Sequence, residues 1–192
     1  MGRRAHISDA DLVAAAGRAC ARLGLPRATI EAIAKEAGVP VGSVYHRVDS
    51  RAALLAEVWI AAAQDFGAEF LRALEAAGSL AEAAEIALLT PRFARTNHAA
   101  AVALLAYRRD DFLDGAPDTA RARAAKLSAD LQQGLTLSAR RLLPNDKRGR
   151  EKLAVALIGV PYGAVRIFLP QATPPAELDP VILAAAKGAM ET

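Results

Sequence analysis

Apolar residues recur along this chain at spacings of three and four positions, which is the period of an amphipathic helix. The first periodic segment follows Ser8, a good helix-capping residue, and ends at Gly24. A second, shorter segment begins after Thr29 and ends at Gly38. Because no alternating run bounded by hairpin turns is present, the pattern predicts an all-α protein.

The same periodicity predicts a series of further helices in the rest of the chain. A third, very short helix is followed by a long fourth helix that Ser50 caps. Two later helices contain a proline, at which we expect a kink. The segments are 41–47, 51–74, 79–95 with Pro91, 98–109, 117–143, 147–169 with Pro161, and 180–190.

Charge is distributed unevenly along the chain. Residues 1–51 hold eight basic and five acidic side chains, an excess of three that equals the net charge of the whole protein. The other 141 residues hold 16 of each sign. This asymmetry favours a polyanion-binding N-terminal end, although an ordinary solvated surface explains an excess of three equally well.

Composition excludes several classes of protein. One cysteine allows neither an internal disulfide framework nor a cysteine-based zinc site, and we expect no metal and no cofactor. No uncharged apolar run is long enough to span a bilayer, and the N-terminus lacks the apolar core of a secretory signal. We therefore expect a cytoplasmic protein that does not contact the membrane.

Residues 24–55 carry the most informative pattern. Two short helices joined by a tight turn at Gly38, with a longer helix on each side, form a helix-turn-helix. Its small shared core is expected to contain Ile30, Ile33, Ala34, Ala37, Val39, Val44 and Val48. In this motif the second short helix enters the major groove of DNA. It would present Val41, Gly42, Ser43, Tyr45, His46 and Arg47.

This stretch resembles the DNA-binding domain of the tetracycline-repressor (TetR) family of bacterial transcription regulators. The matching residues are Gly24, Thr29, Ile30, Ile33, Ala34, Ala37, Gly38, Val39, Gly42, Val44, Tyr45, Ser50 and Leu54. The resemblance implies a three-helix DNA-binding domain over residues 1–52 and a helical ligand-binding and dimerisation domain over residues 53–192. It also implies a homodimer that binds a palindromic operator in double-stranded DNA.

The resemblance assigns roles to individual residues. Thr29 and Tyr45 match positions at which the family contacts DNA phosphates. Gly42 and Ser43 match the tip of the recognition helix. Arg51 stands where the family usually has a lysine that faces the DNA backbone.

Other positions are less constrained by the resemblance. Arg3 and Arg4 resemble a basic arm that follows the minor groove, and His46 is either a base or phosphate contact or plain surface. Val41 replaces a polar residue of the family pattern, so it would touch a thymine methyl group rather than donate a hydrogen bond. Val48 replaces an aromatic residue and leaves a smaller core.

The resemblance implies that the last two long helices, residues 147–169 and 180–190, form a four-helix dimer interface. Packing of these helices within one subunit is the alternative that the sequence leaves open. The expected interface residues are Leu153, Ala156, Leu157, Val160, Ala164, Ile167, Val181 and Leu183.

The later helices would also enclose a pocket for a small-molecule effector, which we expect to be largely apolar. Its expected lining residues, any of which could equally be plain core, are Trp59, Phe66, Phe70, Phe93, His98, Tyr107, Tyr162 and Arg166. A buried Arg166 would indicate an anionic effector. Effector binding would favour a state in which the recognition helices no longer fit the operator. Repression is the commoner behaviour of the family, so we expect a repressor, although the sequence itself does not distinguish a repressor from an activator.

Two other classes of protein compete with a DNA-binding regulator. An enzyme is not expected, because the three histidines are scattered and no catalytic motif is present. A helical protein-interaction module without DNA binding is the alternative, but it does not require Thr29, Gly42 and Tyr45 at these spacings. Cys20 lies on the apolar side of the first helix and is expected to be a buried structural residue.

Overall fold

A computed structural model describes residues 7–191, and all regular secondary structure in this range is helical, which confirms the all-α prediction. The α-helices are α1 (Asp9–Leu23), α2 (Ile30–Ala37), α3 (Val41–Tyr45), α4 (Arg51–Ala76), α5 (Leu80–Glu85), α6 (Leu89–Thr96), α7 (His98–Ala101), α8 (Arg109–Leu113), α9 (Asp118–Leu142), α10 (Gly149–Ala154), α11 (Val160–Arg166) and α12 (Asp179–Glu191). Short 3-10 turns cover Leu25–Arg27, Ile86–Leu88 and Ala176–Leu178. Single π-helical turns cover Val102–Ala106 and Val155–Gly159.

Side-chain caps begin several helices where the sequence predicted them. The Ser8 hydroxyl accepts from the Asp11 N–H at 3.1 Å, and the Thr29 hydroxyl accepts from the Ala32 N–H at 3.3 Å. Ser50 caps α4 in the same way at 3.0 Å. Each such cap stabilises its helix by about 1 kcal/mol, so local sequence fixes where these helices begin.

Pro91 differs from the prediction, whereas the α-helix is interrupted directly before Pro161. Pro91 lies within the first turn of α6, where its missing N–H costs nothing, and the break falls earlier, at the 3-10 turn Ile86–Leu88. Pro161 lies at the start of α11, directly after the π-helical turn Val155–Gly159. Proline clashes with the carbonyl four residues before it, and the wider π turn accommodates that clash.

The polar run after Tyr107 begins a helix rather than ending one. The Asp111 carboxylate accepts from the Arg108 N–H at 2.9 Å, and this bond caps α8. Acidic groups are favourable in a first turn, which explains why this short helix forms in so polar a stretch.

The chain packs as two units. Residues 7–62 pack together with residues 99–124 as the first unit, and residues 63–98 pack with residues 125–191 as the second. Helix α4 contributes residues 51–62 to the first unit and its remainder to the second. The largest fully buried side chains of the first unit are Leu12, Ile33, Val44, Leu54, Ile60 and Phe112.

The second unit has its own apolar core. Phe70 and Leu74 from α4 meet Leu135 from α9 and Ile182 from α12 in one cluster. Burying each such side chain contributes about 1.5–3 kcal/mol. Helices α4 and α9 approach each other closely at Gly134, where an added Cβ atom would lie 2.5 Å from Leu71 Cδ2.

The same core corrects part of the predicted dimer interface. Leu153, Ala156 and Leu157 are completely buried inside the second unit of a single chain, so they cannot contact a partner surface. Val160, Ala164 and Leu183 are half-buried and pack against that core. Ile167 and Val181 remain, and they are 79% and 62% exposed.

Residues 7–191 contain neither a candidate membrane-spanning helix nor a candidate metal-binding cluster. No helix in this range is both long and apolar enough to cross a membrane. No three histidine, cysteine or acidic side chains there are grouped so that they could hold a metal ion.

Candidate nucleic-acid interface

Helices α2 and α3 form the predicted helix-turn-helix in the first unit. Gly38 ends α2 with a φ of 69°, in the left-handed region that favours glycine. Its turn is closed by the Val39 N–H, which donates to the Ala34 carbonyl at 3.0 Å. This tight reversal carries the chain directly into α3.

The two faces of this motif are chemically distinct. Ile30, Ile33 and Val44 are buried and hold α2 and α3 against the rest of the first unit. On the other side, Gly42 and His46 are exposed and Tyr45 exposes 58% of its surface. A tyrosine this exposed contributes little to folding, so its ring and hydroxyl are available to an external partner.

Of the other residues predicted to contact DNA, Thr29 is exposed and caps α2, while Val41 and Ser43 are half-buried in the first turn of α3. The Ser43 N–H donates to the Pro40 carbonyl at 2.9 Å. Arg3 and Arg4 lie outside the described residues.

Glu31 shares the N-terminus of α2 with Thr29. Its carboxylate accepts from its own backbone N–H and from the Thr29 hydroxyl, and both bonds hold the pKa of Glu31 below its usual value. The negative charge therefore sits at the positive end of the α2 dipole. A DNA phosphate that approached Thr29 would meet this carboxylate.

Arg51 stabilises the loop before α2. Its Nε donates to the Ala28 carbonyl at 2.8 Å and its Nη2 donates to the Leu25 carbonyl at 2.5 Å. Both carbonyls belong to buried residues. The structure thus shows Arg51 with partners inside the chain, whereas the resemblance implied one on DNA.

Other arginines of this region form ion pairs with acidic side chains. Arg22 and Arg18 donate to the two oxygens of Glu36 at 2.9 and 3.1 Å, and these hydrogen bonds lower the pKa of Glu36. Arg47 pairs with the exposed Asp9 at 2.6 Å. Surface pairs of this kind are each worth at most about 1 kcal/mol, but they neutralise acids that would otherwise repel a polyanion.

Cys20 is buried among the side chains of the first unit, as predicted. Burial raises the pKa of its thiol to about 11, and nearby Arg51 only partly offsets that rise. The thiol is therefore neutral at physiological pH, which fits a structural residue rather than a redox sensor.

Tyr107, one of the expected effector-pocket residues, contacts the loop that precedes the helix-turn-helix. Its hydroxyl oxygen accepts from the Leu25 N–H at 3.1 Å, although 82 residues separate the two in sequence. Its ring meets the ring of buried Phe112 edge-on, with the centroids 6.0 Å apart. No local sequence signal links Tyr107 to this loop, and only the folded chain reveals the contact.

Three of the predicted effector-pocket residues form a cluster in the second unit. The Phe66 ring lies 5.2 Å from that of Phe93 and 5.8 Å from that of Phe70, centroid to centroid. Trp59 belongs to the first unit, where it is buried. Phe66 is half-buried, while Phe70 and Phe93 are buried.

His98 carries a buried nitrogen without a partner. Its Nε2 lies 3.1 Å from the Pro170 carbonyl oxygen, which only accepts, so Nε2 holds the proton in this contact. Nδ1 is then an acceptor. Among the described residues, it is the one buried side-chain nitrogen or oxygen that has no hydrogen-bond partner. Such an atom is costly to bury and well suited to accept a bond from a ligand.

Arg166 and Tyr162 pair with each other on the second unit. Arg166 is exposed, its Nη1 donates to the Tyr162 hydroxyl at 3.0 Å, and its guanidinium carbon lies 5.6 Å from the ring centroid. Only a buried Arg166 would indicate an anionic effector. Because Arg166 is exposed, it gives no indication of one.

One surface groove of about 300 Å³ runs along α4, α5 and α6 within the second unit. It is lined by Ala73, Ala76, Ala77, Glu82, Glu85, Ile86, Leu89 and Arg92. None of the predicted effector-pocket residues lines this groove.

Comparison with known proteins finds one family whose sequence model matches the N-terminal part of the chain. Residues 12–58 match the sequence model of the tetR family of bacterial regulatory proteins. This range contains most of α1 and all of the helix-turn-helix. No curated protein matches the chain significantly.

Solved structures share the fold over nearly the whole chain. A protein of Mesorhizobium loti assigned to the TetR family of transcriptional regulators is 15% identical, with a TM-score of 0.56, and the alignment covers 95% of this chain and 93% of that one. The multidrug binding protein EbrR, solved with imidazole, is 16% identical, with a TM-score of 0.54 and coverage of 94% and 95%. These likenesses show a common fold. Residues 12–58 carry the sequence signature of the tetR family of bacterial regulatory proteins.

Proposed function

We propose that this DNA-binding transcriptional regulator is a repressor, which binds a palindromic operator as a homodimer and is released by a small-molecule effector. The outward face of α3 carries the DNA-binding part of the proposal. Gly42, Tyr45 and His46 are exposed there, while Val44 anchors the opposite side in the core. A helix held this way can enter a major groove without rearranging.

In this proposal α3 reads base edges, and Thr29 and Tyr45 hold phosphates on either side of the groove. The small Gly42 lets the α3 backbone approach the bases closely. Arg3 and Arg4 extend the contact into the minor groove. Arg51 acts through the loop that precedes Thr29, because its donors already bind the Leu25 and Ala28 carbonyls.

The operator can be identified by selecting bound duplexes from a random-sequence pool with the purified full chain. We expect enrichment of an inverted repeat whose half-site centres lie about 10 base pairs, or a multiple of that, apart. Enrichment of a single half-site would contradict the homodimer, and no enrichment would contradict specific DNA binding. The variant Tyr45→Ala should enrich nothing.

The homodimer proposal is supported by exposed apolar side chains late in the chain. Val155, Ile167 and Val181 expose 53%, 79% and 62% of their surfaces. Large apolar side chains this exposed are typical of surfaces that a partner covers. Light scattering should give twice the chain mass of 20.1 kDa, and the double variant Ile167→Glu, Val181→Glu should give the single mass. A monomeric wild-type protein would refute the assignment.

The effector part of the proposal is supported by the aromatic cluster of Phe66, Phe70 and Phe93 and by the unpaired Nδ1 of His98. Aromatic rings favour an apolar, planar ligand, and Nδ1 favours one that also carries an N–H or O–H donor. The structural neighbour EbrR is a multidrug binding protein, which is consistent with a ligand of this kind.

Aromatic compounds with one donor, such as indole and phenol, can be screened for release of the selected duplex. A ligand releases DNA only if it binds the released state more tightly than the DNA-bound state. His98→Phe keeps a ring but removes the acceptor, so it should weaken such a compound about tenfold. Equal binding to wild type and to His98→Phe would contradict the role of His98.

A further inference from the structure

The loop between α1 and α2 determines where the predicted phosphate contact Thr29 lies. It runs from Gly24, with a φ of 83°, through the 3-10 turn Leu25–Arg27 to Thr29. Leu25 and Ala28 are buried, so the polar backbone groups of this loop need partners inside the protein. The identity of those partners therefore decides the position of the loop.

Two side chains from distant parts of the first unit bind this loop. Arg51, at the start of α4, donates to the carbonyls of Leu25 and Ala28 at 2.5 and 2.8 Å. On the other side, the Tyr107 hydroxyl accepts the Leu25 N–H at 3.1 Å. Leu25 is thus held through both its N–H and its carbonyl.

Tyr107 is itself firmly placed. Its ring packs edge-on against the buried ring of Phe112. Its hydroxyl lies against Gly24, since a Cβ atom built there would be 3.5 Å from that oxygen. The residue follows directly on the π-helical turn Val102–Ala106, which packs on α1. The hydroxyl therefore comes from a rigid support.

We propose that Tyr107 is a positioning residue for DNA binding, whose hydroxyl fixes the α1–α2 loop and thereby the position of Thr29 at the DNA backbone. This inference rests on the proposed DNA-binding function. It assigns a role in that function to a residue outside the matched family segment 12–58. Tyr107 touches no DNA in this scheme and acts only through Leu25.

The substitution Tyr107→Phe tests the proposal because it removes one oxygen atom and keeps the ring on Phe112. The Leu25 N–H would lose its acceptor and the loop would shift to find another. We expect the dissociation constant for the duplex selected by the wild-type protein to rise about tenfold. Loss of one phosphate contact in each half-site should also make the salt dependence shallower by about 2 in log–log slope.

Two control variants separate this effect from a general loss of stability. Tyr162→Phe makes the same chemical change at a hydroxyl whose hydrogen-bond partner among residues 7–191 is Arg166, so affinity and slope should stay at the wild-type values. Glu57→Gln weakens the Arg123–Glu57 contact, which joins segment 99–124 to α4 without touching the loop, and it should leave the slope unchanged. Circular dichroism at the assay temperature confirms that each variant is folded.

The outcomes distinguish this inference from the proposed function. Wild-type protein that binds no duplex would refute the DNA-binding function itself. Wild-type protein that binds, together with Tyr107→Phe that binds equally well with the same slope, would overturn the role of Tyr107 alone. If Tyr107→Phe does not fold, amide exchange in the wild-type protein decides. The Leu25 N–H should exchange as slowly as the core of α1, and fast exchange would overturn the inference.

Discussion

Replacement of Arg51 distinguishes a loop-stabilising arginine from one that contacts DNA. Arg51→Met keeps most of the aliphatic stem and removes both donors to the loop carbonyls. A hydrogen bond from a charged donor contributes about 1.5–3 kcal/mol, and two are lost here. Two effects make the loss smaller than the sum of two such bonds. The Leu25 carbonyl still accepts from the Ala28 N–H at 3.3 Å, and solvent partly screens the half-buried guanidinium of Arg51.

The expected loss is therefore about 2–3 kcal/mol in the free energy of unfolding. For a chain of this size that loss corresponds to about 4–12 °C in melting temperature. Thermal unfolding followed by circular dichroism measures this shift directly. Arg51→Lys, which keeps the charge but can satisfy fewer carbonyls, should recover only part of it.

A DNA-contacting Arg51 would give the opposite pattern. Arg51→Met would then melt within about 1 °C of the wild type, since a solvated surface arginine contributes little to stability. The salt dependence of DNA binding would become shallower, and Arg51→Lys would restore it fully. That combination would refute the loop-stabilising role.

Three other predictions concern residues whose surroundings are equally well defined. Glu31→Gln removes a negative charge beside Thr29 and should tighten DNA binding, which anisotropy titration measures; weaker binding would contradict the placement of this carboxylate near phosphates. The pKa of Glu36 is lowered in the folded state, so its arginine contacts stabilise the fold above the usual carboxyl pKa, and this stabilisation is lost as the pH falls through the lowered value. Glu36→Gln should therefore make the free energy of unfolding less dependent on pH in the acid range. An unchanged pH dependence would contradict these contacts. Cys20, with a pKa of about 11, should react with iodoacetamide at pH 8 only after unfolding, and rapid labelling of the native protein would contradict its burial.

Local sequence signals predicted the helix-turn-helix well. Ser8, Thr29 and Ser50 each have a hydroxyl that can replace a missing backbone acceptor, so their positions fix helix starts without reference to the rest of the fold. Gly24 and Gly38 end helices because their positive φ angles are costly for other residues. These effects act over a few residues, which is why the sequence alone reveals them.

Local sequence signals do not predict contacts between segments that are far apart in the chain. Tyr107 looks like any aromatic residue in an apolar helix, and its bond to Leu25 exists only because residues 99–124 pack with the first unit. Three core residues, Leu153, Ala156 and Leu157, were assigned to the dimer interface for a related reason. The apolar residues of helix 147–169 surround its axis, so periodicity could not distinguish buried Leu157 from exposed Ile167.

The measurement that tests the account most directly is a comparison of wild-type and Tyr45→Ala binding to the selected duplex by fluorescence anisotropy across a salt series. Tyr45 is largely exposed, so its removal should leave the fold intact, and Tyr162→Ala provides a control at a tyrosine in the second unit. The wild-type protein and Tyr162→Ala should bind tightly and with a steep salt dependence, and folded Tyr45→Ala should bind at least about tenfold more weakly. Equal binding by Tyr45→Ala, or no salt-sensitive binding by folded wild-type protein, would contradict α3 as the DNA-reading element.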